Sequence, residues 1–227
     1  MADRAIAFFD DTSAAFGRAY ATDPNFAERF ELWTSLISTY GKPGTSVLDV
    51  GCGPGHLSCF AASRGLATIG IDPAPGMLEL ANRLKADRGL SNIELRQGTL
   101  DTVDEQRIRA DLVLCSSVLE YLPSLETALA TLRRAVNPGG HLILSLPNAA
   151  CWYRRIESVA YAVVGRPRYR GLIKHLVRPD QVAELAQQIG FRVVETRYCA
   201  THHVLRSLSP LLSERRQSAL FVMVLHA

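Results

Sequence analysis

Three glycines occupy alternate positions in the segment DVGCGPG, residues 49–55. Gly51, Gly53 and Gly55 can adopt positive φ angles and allow a ligand to lie directly against the backbone. Asp72 follows the loop by about 20 residues, at the end of a second apolar run, where a carboxylate can accept both hydroxyl groups of a ribose. The spacing indicates a nucleotide-type cofactor, although a tight turn without a ligand would explain the glycines alone.

Short apolar runs alternate with segments of helical spacing on both sides of this loop. The runs predicted as strands are 47–50, 67–72, 93–98, 111–116, 141–147, 192–200 and 218–227. The segments predicted as helices are 56–65, 77–89, 125–140 and 178–191, and the fourth strand is predicted to lead into an apolar helix. This order predicts βαβ crossovers and a mostly parallel sheet with helices on both faces.

Two further segments are expected to cover the ligand-binding edge of the sheet, where the carboxyl ends of the strands meet. Residues 1–44 have helical spacing and many aromatic side chains, and residues 149–177 are rich in arginine, aromatic and aliphatic residues. We predict a single domain composed of an N-terminal helical cap (1–44), a cofactor-binding core (45–148), a lid insertion (149–177) and a C-terminal helix with two strands (178–227). Simple packing of the N-terminal aromatic residues on the sheet is the alternative.

The composition limits the class of protein. A chain of 227 residues with 48% hydrophobic residues can bury one sizeable core. Its net charge of +3 is too small to predict a nucleic-acid partner. The five cysteines are scattered without a CxxC pair, which indicates reduced, mostly buried thiols. The chain starts without a secretory-signal pattern and has no apolar run of the ~20 residues that cross a bilayer, so we expect a cytoplasmic protein.

Taken together, the motifs resemble those of class I S-adenosylmethionine-dependent methyltransferases. The resemblance rests on LDVGCGPG (48–55), GID (70–72), CSSVLEYL (115–122) and LRRAVNPGGHLILSLPN (132–148). A nicotinamide-binding dehydrogenase would instead carry GxGxxG where this chain has GxGxG. The resemblance implies a Rossmann-like sheet of seven strands, S-adenosylmethionine as the cofactor and S-adenosylhomocysteine as its product.

The resemblance also implies which residues contact the cofactor. They are Asp49, Gly51, Gly53, Gly55, Asp72, Pro73, Met77, Thr99, Leu100, Ser116 and Val118. Asp49 and the glycine loop would receive the methionine part, and Asp72 the ribose. Met77 would cover the adenine or only pack in the core. Thr99 stands where many relatives carry an adenine-binding acidic residue, which leaves Asp101 as a displaced alternative.

The second half resembles the O-methyltransferases of quinone biosynthesis, in residues 145–165, in the Lys-His pair at 174–175 and in residues 178–191. This implies transfer to oxygen of a small, apolar or aromatic acceptor. Transfer to nitrogen or carbon, and a regulatory subunit that binds the cofactor without catalysis, are the alternatives. Such relatives commonly have ExxEH after the fourth strand, associated with a divalent metal. This chain has Ser117 and Tyr121 at the outer positions of that motif, so we predict no metal.

The acceptor end has several candidate functional residues. His175, His202 and His203 are the predicted proton acceptors, and Tyr121 is predicted to hydrogen-bond or stack with the acceptor; a packing or surface role is the alternative for each. The segment 149–175 also suits peripheral contact with an anionic membrane surface, against the alternative of a solvated helix with one packed face. We expect a monomer or a homodimer.

Overall fold

Seven strands form the sheet at the centre of the protein. In the computed structural model, which describes residues 2–152, 154, 161, 168–201 and 213–227, they are β1 (Ser46–Val50), β2 (Ala67–Asp72), β3 (Ile93–Gln97), β4 (Ala110–Ser116), β5 (Val136–Pro147), β6 (Arg192–Thr201) and β7 (Ser218–His226). Their order is β3-β2-β1-β4-β5-β7-β6. Strands β1 to β5 are parallel, and β7 lies antiparallel between β5 and β6. The predicted seven-stranded Rossmann-like fold is confirmed.

Helices cover both faces of the sheet and the carboxyl ends of its strands. They are α1 (Ala2–Asp11), α2 (Ser13–Thr22), α3 (Pro24–Tyr40), α4 (His56–Ser63), α5 (Pro75–Asp87), α6 (Leu100–Glu105), α7 (Leu125–Ala135) and α8 (Pro179–Gln188). Shorter helical turns occupy Leu119–Tyr121, Arg168–Leu172 and Glu214–Gln217. The start of α3 follows directly from sequence, because the Asp23 carboxylate accepts the Asn25 N–H at 2.8 Å and Pro24 takes a first-turn position.

The central strands are buried on both faces, as a parallel sheet between helical layers requires. In β4, Leu112 and Leu114 pack with Trp33 of α3 on one face. Val113 and Cys115, at the alternate positions, pack on the other face in the cluster that contains residues of α7 and α8. All five cysteines are buried and free, as predicted. Packing in these two clusters holds the central strands in place, and the site described below is built from the carboxyl ends of these strands.

The N-terminal helices are joined to the core near the carboxyl ends of the strands. Helices α1 and α2 contact α5. The Asp10 carboxylate at the end of α1 accepts the N–H of Gly76, at the start of α5, at 2.6 Å. The ring centroid of Phe9 lies 5.2 Å from that of Tyr121, which follows β4. The helices predicted for the first 40 residues are confirmed.

The structure differs from the sequence prediction at three places. Strand β5 begins at Val136, because Val136 pairs with Ala110 before the register shifts. The apolar helix predicted after β4 is only the short turn Leu119–Tyr121, and Pro123 follows it closely. Helix α6 has no counterpart in the prediction. Most of the lid insertion and residues 202–212 lie outside the described residues. No helix in the described part of the chain is both long and apolar enough to cross a membrane.

Candidate active site

A cavity of about 990 Å³ opens at the carboxyl ends of the strands, and residues of α1 and α3 contribute to its wall. Ligand cavities commonly measure about 300–1,000 Å³, so this one is at the large end of that range. The predicted cofactor residues that line it are Asp49, Gly51, Gly53, Asp72, Pro73, Met77, Thr99, Leu100, Ser116 and Val118. Gly55 is not part of the lining.

The three loop glycines have different structural roles. Gly51, Gly53 and Gly55 all have positive φ, at 70°, 52° and 78°. A β-carbon on Gly51 would overlap the Cγ2 atom of Val118, and one on Gly55 would lie 2.8 Å from the Cβ of Ala81 in α5. A β-carbon on Gly53 would meet no atom within 4 Å. Gly51 and Gly55 therefore permit close packing, whereas Gly53 presents bare backbone to the cavity.

The Asp49 carboxylate is buried at the end of β1 with one oxygen unpaired. Its Oδ2 accepts a hydrogen bond from the Ser58 hydroxyl at 2.5 Å, but its Oδ1 has no hydrogen-bond partner within the described part of the chain. Burial raises the pKa of Asp49 to about 7, although the hydrogen bonds from Ser58 oppose the shift. An unpaired buried oxygen is unfavourable. A cationic ligand group beside it would supply a partner and favour the ionised carboxylate.

Asp72, at the end of β2, is held by two backbone groups. Its Oδ2 accepts the N–H of Gly53 at 2.8 Å, and its Oδ1 accepts the N–H of Ala74 at 2.9 Å. Burial raises the pKa of Asp72, and the two backbone hydrogen bonds oppose this. Each carboxylate oxygen can accept a second hydrogen bond. The side chain is therefore fixed in orientation and still able to accept ligand hydroxyls.

Thr99 is the residue directly before helix α6. Its hydroxyl accepts the N–H of Asp101 at 3.2 Å and so caps α6. Leu100 and Asp101 of this helix also line the cavity, as does the buried side chain of Met77 from α5. Thr99, Leu100 and Met77 thus form one wall near the ends of β2 and β3.

Arg29 of α3 is a charged lining residue that no sequence pattern predicts. Its Nη2 donates to the hydroxyl of Ser116, at the end of β4, at 2.6 Å. The next residue, Ser117, has a φ of 55°, and its N–H donates to the Ser145 hydroxyl at 3.0 Å. A positive φ is uncommon for serine and is often found at functional sites. The chain reverses sharply here, and Val118 comes to lie against Gly51.

Aromatic side chains form another part of the wall. Phe9 lies edge-to-face with Tyr121 and with Phe16, at centroid separations of 5.2 and 5.9 Å. Phe16 in turn lies 5.3 Å from Phe26. All four line the cavity, and burial strongly raises the pKa of Tyr121. This part of the cavity suits an apolar or aromatic molecule.

Comparison with known proteins identifies the family. A family model described as a methyltransferase domain matches residues 25–196. The ubiquinone biosynthesis O-methyltransferase of Pseudomonas savastanoi pv. phaseolicola is 33% identical over 161 residues, which cover 67% of each chain. The chain belongs to the class I S-adenosylmethionine-dependent methyltransferases. The protein of the same name from Acinetobacter baylyi is 29% identical to this methyltransferase over 161 residues, 67% of this chain and 66% of that one.

Solved structures share the fold of this methyltransferase. Magnesium protoporphyrin IX methyltransferase from Synechocystis PCC 6803, with bound SAH, has a TM-score of 0.74 at 17% identity, covering 99% of this chain and 98% of that chain. A SAM-dependent methyltransferase from Thermotoga maritima has a TM-score of 0.65 at 18% identity, with 96% and 97% covered. These similarities extend over almost the whole chain and show a shared fold.

The residues predicted to act at the acceptor end of this methyltransferase differ in their position relative to the cavity. The Nε2 of His175 lies 2.9 Å from the carbonyl oxygen of Leu122, and His175 does not line the cavity. A carbonyl can only accept, so Nε2 is the donor in this contact. Tyr121 lines the cavity, and His202 and His203 lie outside the described residues. Among the residues that the structure describes, no three His, Cys, Asp or Glu side chains form a group able to hold a metal ion.

Proposed function

We propose that this methyltransferase transfers a methyl group to an oxygen atom of a small, apolar or aromatic acceptor. The aromatic wall made by Phe9, Phe16, Phe26 and Tyr121 carries the proposal, because it offers ring faces and edges to a flat or alkyl-bearing molecule. The O-methyltransferases among the relatives support oxygen as the receiving atom.

The cofactor occupies the other half of the cavity in this proposal. When bound, S-adenosylmethionine supplies an electrophilic methyl group on a positively charged sulfur. The unpaired Oδ1 of Asp49 would pair with the ammonium group of its methionine part, and the guanidinium of Arg29 would pair with the carboxylate of that part. Asp72 would accept the ribose hydroxyls, and Gly53 would allow the ligand to lie against the backbone.

The remaining lining residues shape this half of the cavity. Thr99, Leu100 and Met77 form the adenine wall, and Pro73 directly follows Asp72, whose carboxylate would bind the ribose. Ser116 holds Arg29, and Val118 closes the space above Gly51. Gly55 acts indirectly, through the close approach of the loop to α5.

Methyl transfer of this kind depends on alignment and on exclusion of water. The hydrogen bond from Gly76 to Asp10 and the contact between Phe9 and Tyr121 attach α1 to the core beside the cavity. The N-terminal helices therefore act as a cap that orients the acceptor and keeps water away from the reacting atoms.

The proposal extends to the arrangement and location of the protein. The cap comprises residues 1–44, the cofactor core 45–148, the lid 149–177 and the C-terminal part 178–227. A hydrogen bond joins the two ends of the lid segment, where the N–H of Ala149 donates to the Val177 carbonyl at 2.9 Å.

Two exposed aromatic residues of the lid segment, Trp152 and Tyr161, are 49% and 36% exposed. They suit peripheral membrane contact by a cytoplasmic monomer or homodimer. We expect the wild-type protein to bind vesicles of phosphatidylglycerol and the Trp152→Ala variant not to bind them. Equal binding of the two proteins would refute this contact.

The receiving atom can be tested with cofactor labelled in the methyl group. The purified protein is incubated with a panel of alkylcatechols, aromatic amines and carbon acids, and the products are separated and located by mass spectrometry. We expect methyl ethers of the catechols. Label on nitrogen or carbon would overturn transfer to oxygen, and calorimetric binding of the cofactor without any product would favour a regulatory subunit.

A further inference from the structure

Glu120 is a buried carboxylate in the aromatic half of the cavity. It lies next to Tyr121 in the turn Leu119–Tyr121, and both residues line the cavity. Glu120 is only 2% exposed, and its Oε2 has no hydrogen-bond partner among the residues that the structure describes. An unpaired buried carboxylate oxygen is unfavourable in the protein alone. The arrangement indicates a ligand group that donates a hydrogen bond.

The backbone of Glu120 is fixed by the last residues of the predicted lid segment. Its carbonyl oxygen accepts the N–H groups of Lys174 at 2.7 Å and His175 at 3.3 Å. The ring of His175 contacts the neighbouring carbonyl of Leu122 at 2.9 Å. These contacts hold the turn in place, so the side chain of Glu120 starts from a defined position at the cavity wall.

The other acidic residues of the described lining have other tasks. The Asp23 carboxylate caps α3, and Asp72 accepts two backbone N–H groups at the glycine loop. Asp49 accepts a hydrogen bond from Ser58 at the same end, and Asp101 lies at the start of α6. Glu120 is therefore the carboxylate of this described lining that interacts electrostatically with Tyr121 of the aromatic wall.

We propose that Glu120 accepts the proton of the acceptor hydroxyl during methyl transfer, an inference that rests on the proposed transfer to oxygen. The acceptor oxygen forms a bond to the methyl carbon while the carbon–sulfur bond breaks, and the electron pair of that bond remains on sulfur as a neutral thioether. The hydroxyl proton moves to the Glu120 carboxylate and passes to solvent after the product leaves. The positive sulfur and the negative carboxylate are both neutralised, so the step balances in charge.

The electrostatic surroundings suit this role. Burial raises the pKa of Glu120 to about 7, while Arg29, Arg154 and a hydrogen bond with Ser117 act in the opposite direction. Within the described part of the chain, Cys115 interacts with Glu120, and Tyr169 interacts with its neighbour Tyr121. A base is most effective when its pKa is near the working pH. The proton-accepting form increases as the pH rises through about 7.

Acceptors of different acidity separate this role from a structural one. We compare Glu120→Gln with Glu184→Gln, which changes an exposed glutamate of α8, using an alkylcatechol and a nitrocatechol that is already ionised at the assay pH. For the alkylcatechol, Glu120→Gln should lower kcat/KM by about 100- to 10,000-fold, the usual contribution of a general base. For the nitrocatechol the loss should be less than about tenfold, because no proton needs to be removed. An equal loss with both acceptors would overturn the proposal.

A second measurement needs no turnover. Protein saturated with S-adenosylhomocysteine binds the nitrocatechol, and the absorbance of the bound phenolate is followed against pH. In the wild type the carboxyl group and the phenol titrate as a coupled pair, so the change spreads over two steps. In Glu120→Gln it should collapse to one step, whereas Glu184→Gln should behave as the wild type. Identical curves for all three proteins would place Glu120 away from the phenol and overturn the proposal.

The outcomes also distinguish this inference from the proposed function. If the wild type methylates no phenol while it binds the cofactor in calorimetry, transfer to oxygen fails and the role of Glu120 fails with it. If the wild type methylates phenols and Glu120→Gln matches Glu184→Gln, only the role of Glu120 fails. Loss of wild-type activity with a chelator, restored by a divalent cation, would assign activation of the hydroxyl to a metal and overturn the role of Glu120.

Discussion

The close approach of Val118 to Gly51 predicts a large and specific effect of Gly51→Ala. Alanine at a φ of 70° costs about 1–2 kcal/mol, because its β-carbon crowds the following carbonyl. The added methyl group also overlaps Val118, and overpacking of this kind typically costs about 1–3 kcal/mol. We therefore expect a loss of about 2–5 kcal/mol in the free energy of unfolding.

Gly139→Ala is a matched control for the backbone contribution. Gly139 has a φ of 76° and open space around its missing β-carbon, so its change should cost only the backbone term. Urea unfolding followed by circular dichroism would compare both variants with Val118→Ala and with the double variant Gly51→Ala/Val118→Ala. The double-mutant cycle should show a coupling of about 1–3 kcal/mol. If Gly51→Ala and Gly139→Ala lose the same stability, or the coupling is zero, the packing argument is wrong.

Three further changes test the charged groups. Arg29→Gln removes a charge-assisted contact and should weaken S-adenosylhomocysteine binding roughly 10- to 150-fold in calorimetry; unchanged affinity would remove Arg29 from the cofactor site. Burial raises the pKa of Asp49 to about 7, so its ionised form increases as the pH rises through that value. Calorimetry should therefore show that the affinity of the wild type for S-adenosylhomocysteine rises between pH 6 and 8, whereas the affinity of Asp49→Asn stays constant. The hydrogen bonds from Asn137 and Ser46 lower the pKa of Asp111, so its ionised form stabilises the fold above the ordinary carboxyl pKa and this contribution is lost as the pH falls through the lowered value. Urea unfolding should thus show Asp111→Asn less stable than the wild type at neutral pH, with the difference vanishing in acid; a constant difference would contradict the linkage.

Much of the fold was predictable because the sheet is buried on both faces. Each strand reads as a short apolar run, and turn-forming residues interrupt the runs. The start of β5 could not be predicted from the sequence, since the pairing of Val136 with Ala110 joins distant parts of the chain. Helix α6 escaped prediction because it is only six residues long and has few apolar positions. The sequence predicts Thr99 only as a cofactor-binding residue, and the structure shows that it also caps this helix.

The parts of the site that are built from residues close together in sequence could be predicted. Asp49 and the glycines belong to one loop, and Asp72 follows at the spacing that a nucleotide cofactor requires. Arg29 reaches Ser116 across 87 residues, and no spacing rule connects them. His175 is a candidate base by residue type, and only the structure shows that its Nε2 contacts a backbone carbonyl.

This contrast explains why the methyl donor is easier to infer than the acceptor. Most of the cofactor half consists of strand ends and the loops directly after them, which share one sheet edge in every protein of this fold. The aromatic half is assembled from α1, α2, α3 and the turn after β4, and the backbone of residues 174–175 holds that turn. Changes in these segments can alter the acceptor without disturbing Asp49 or Asp72. Acceptor specificity should therefore follow the cap and the lid, and only the assembled structure brings Glu120 into consideration.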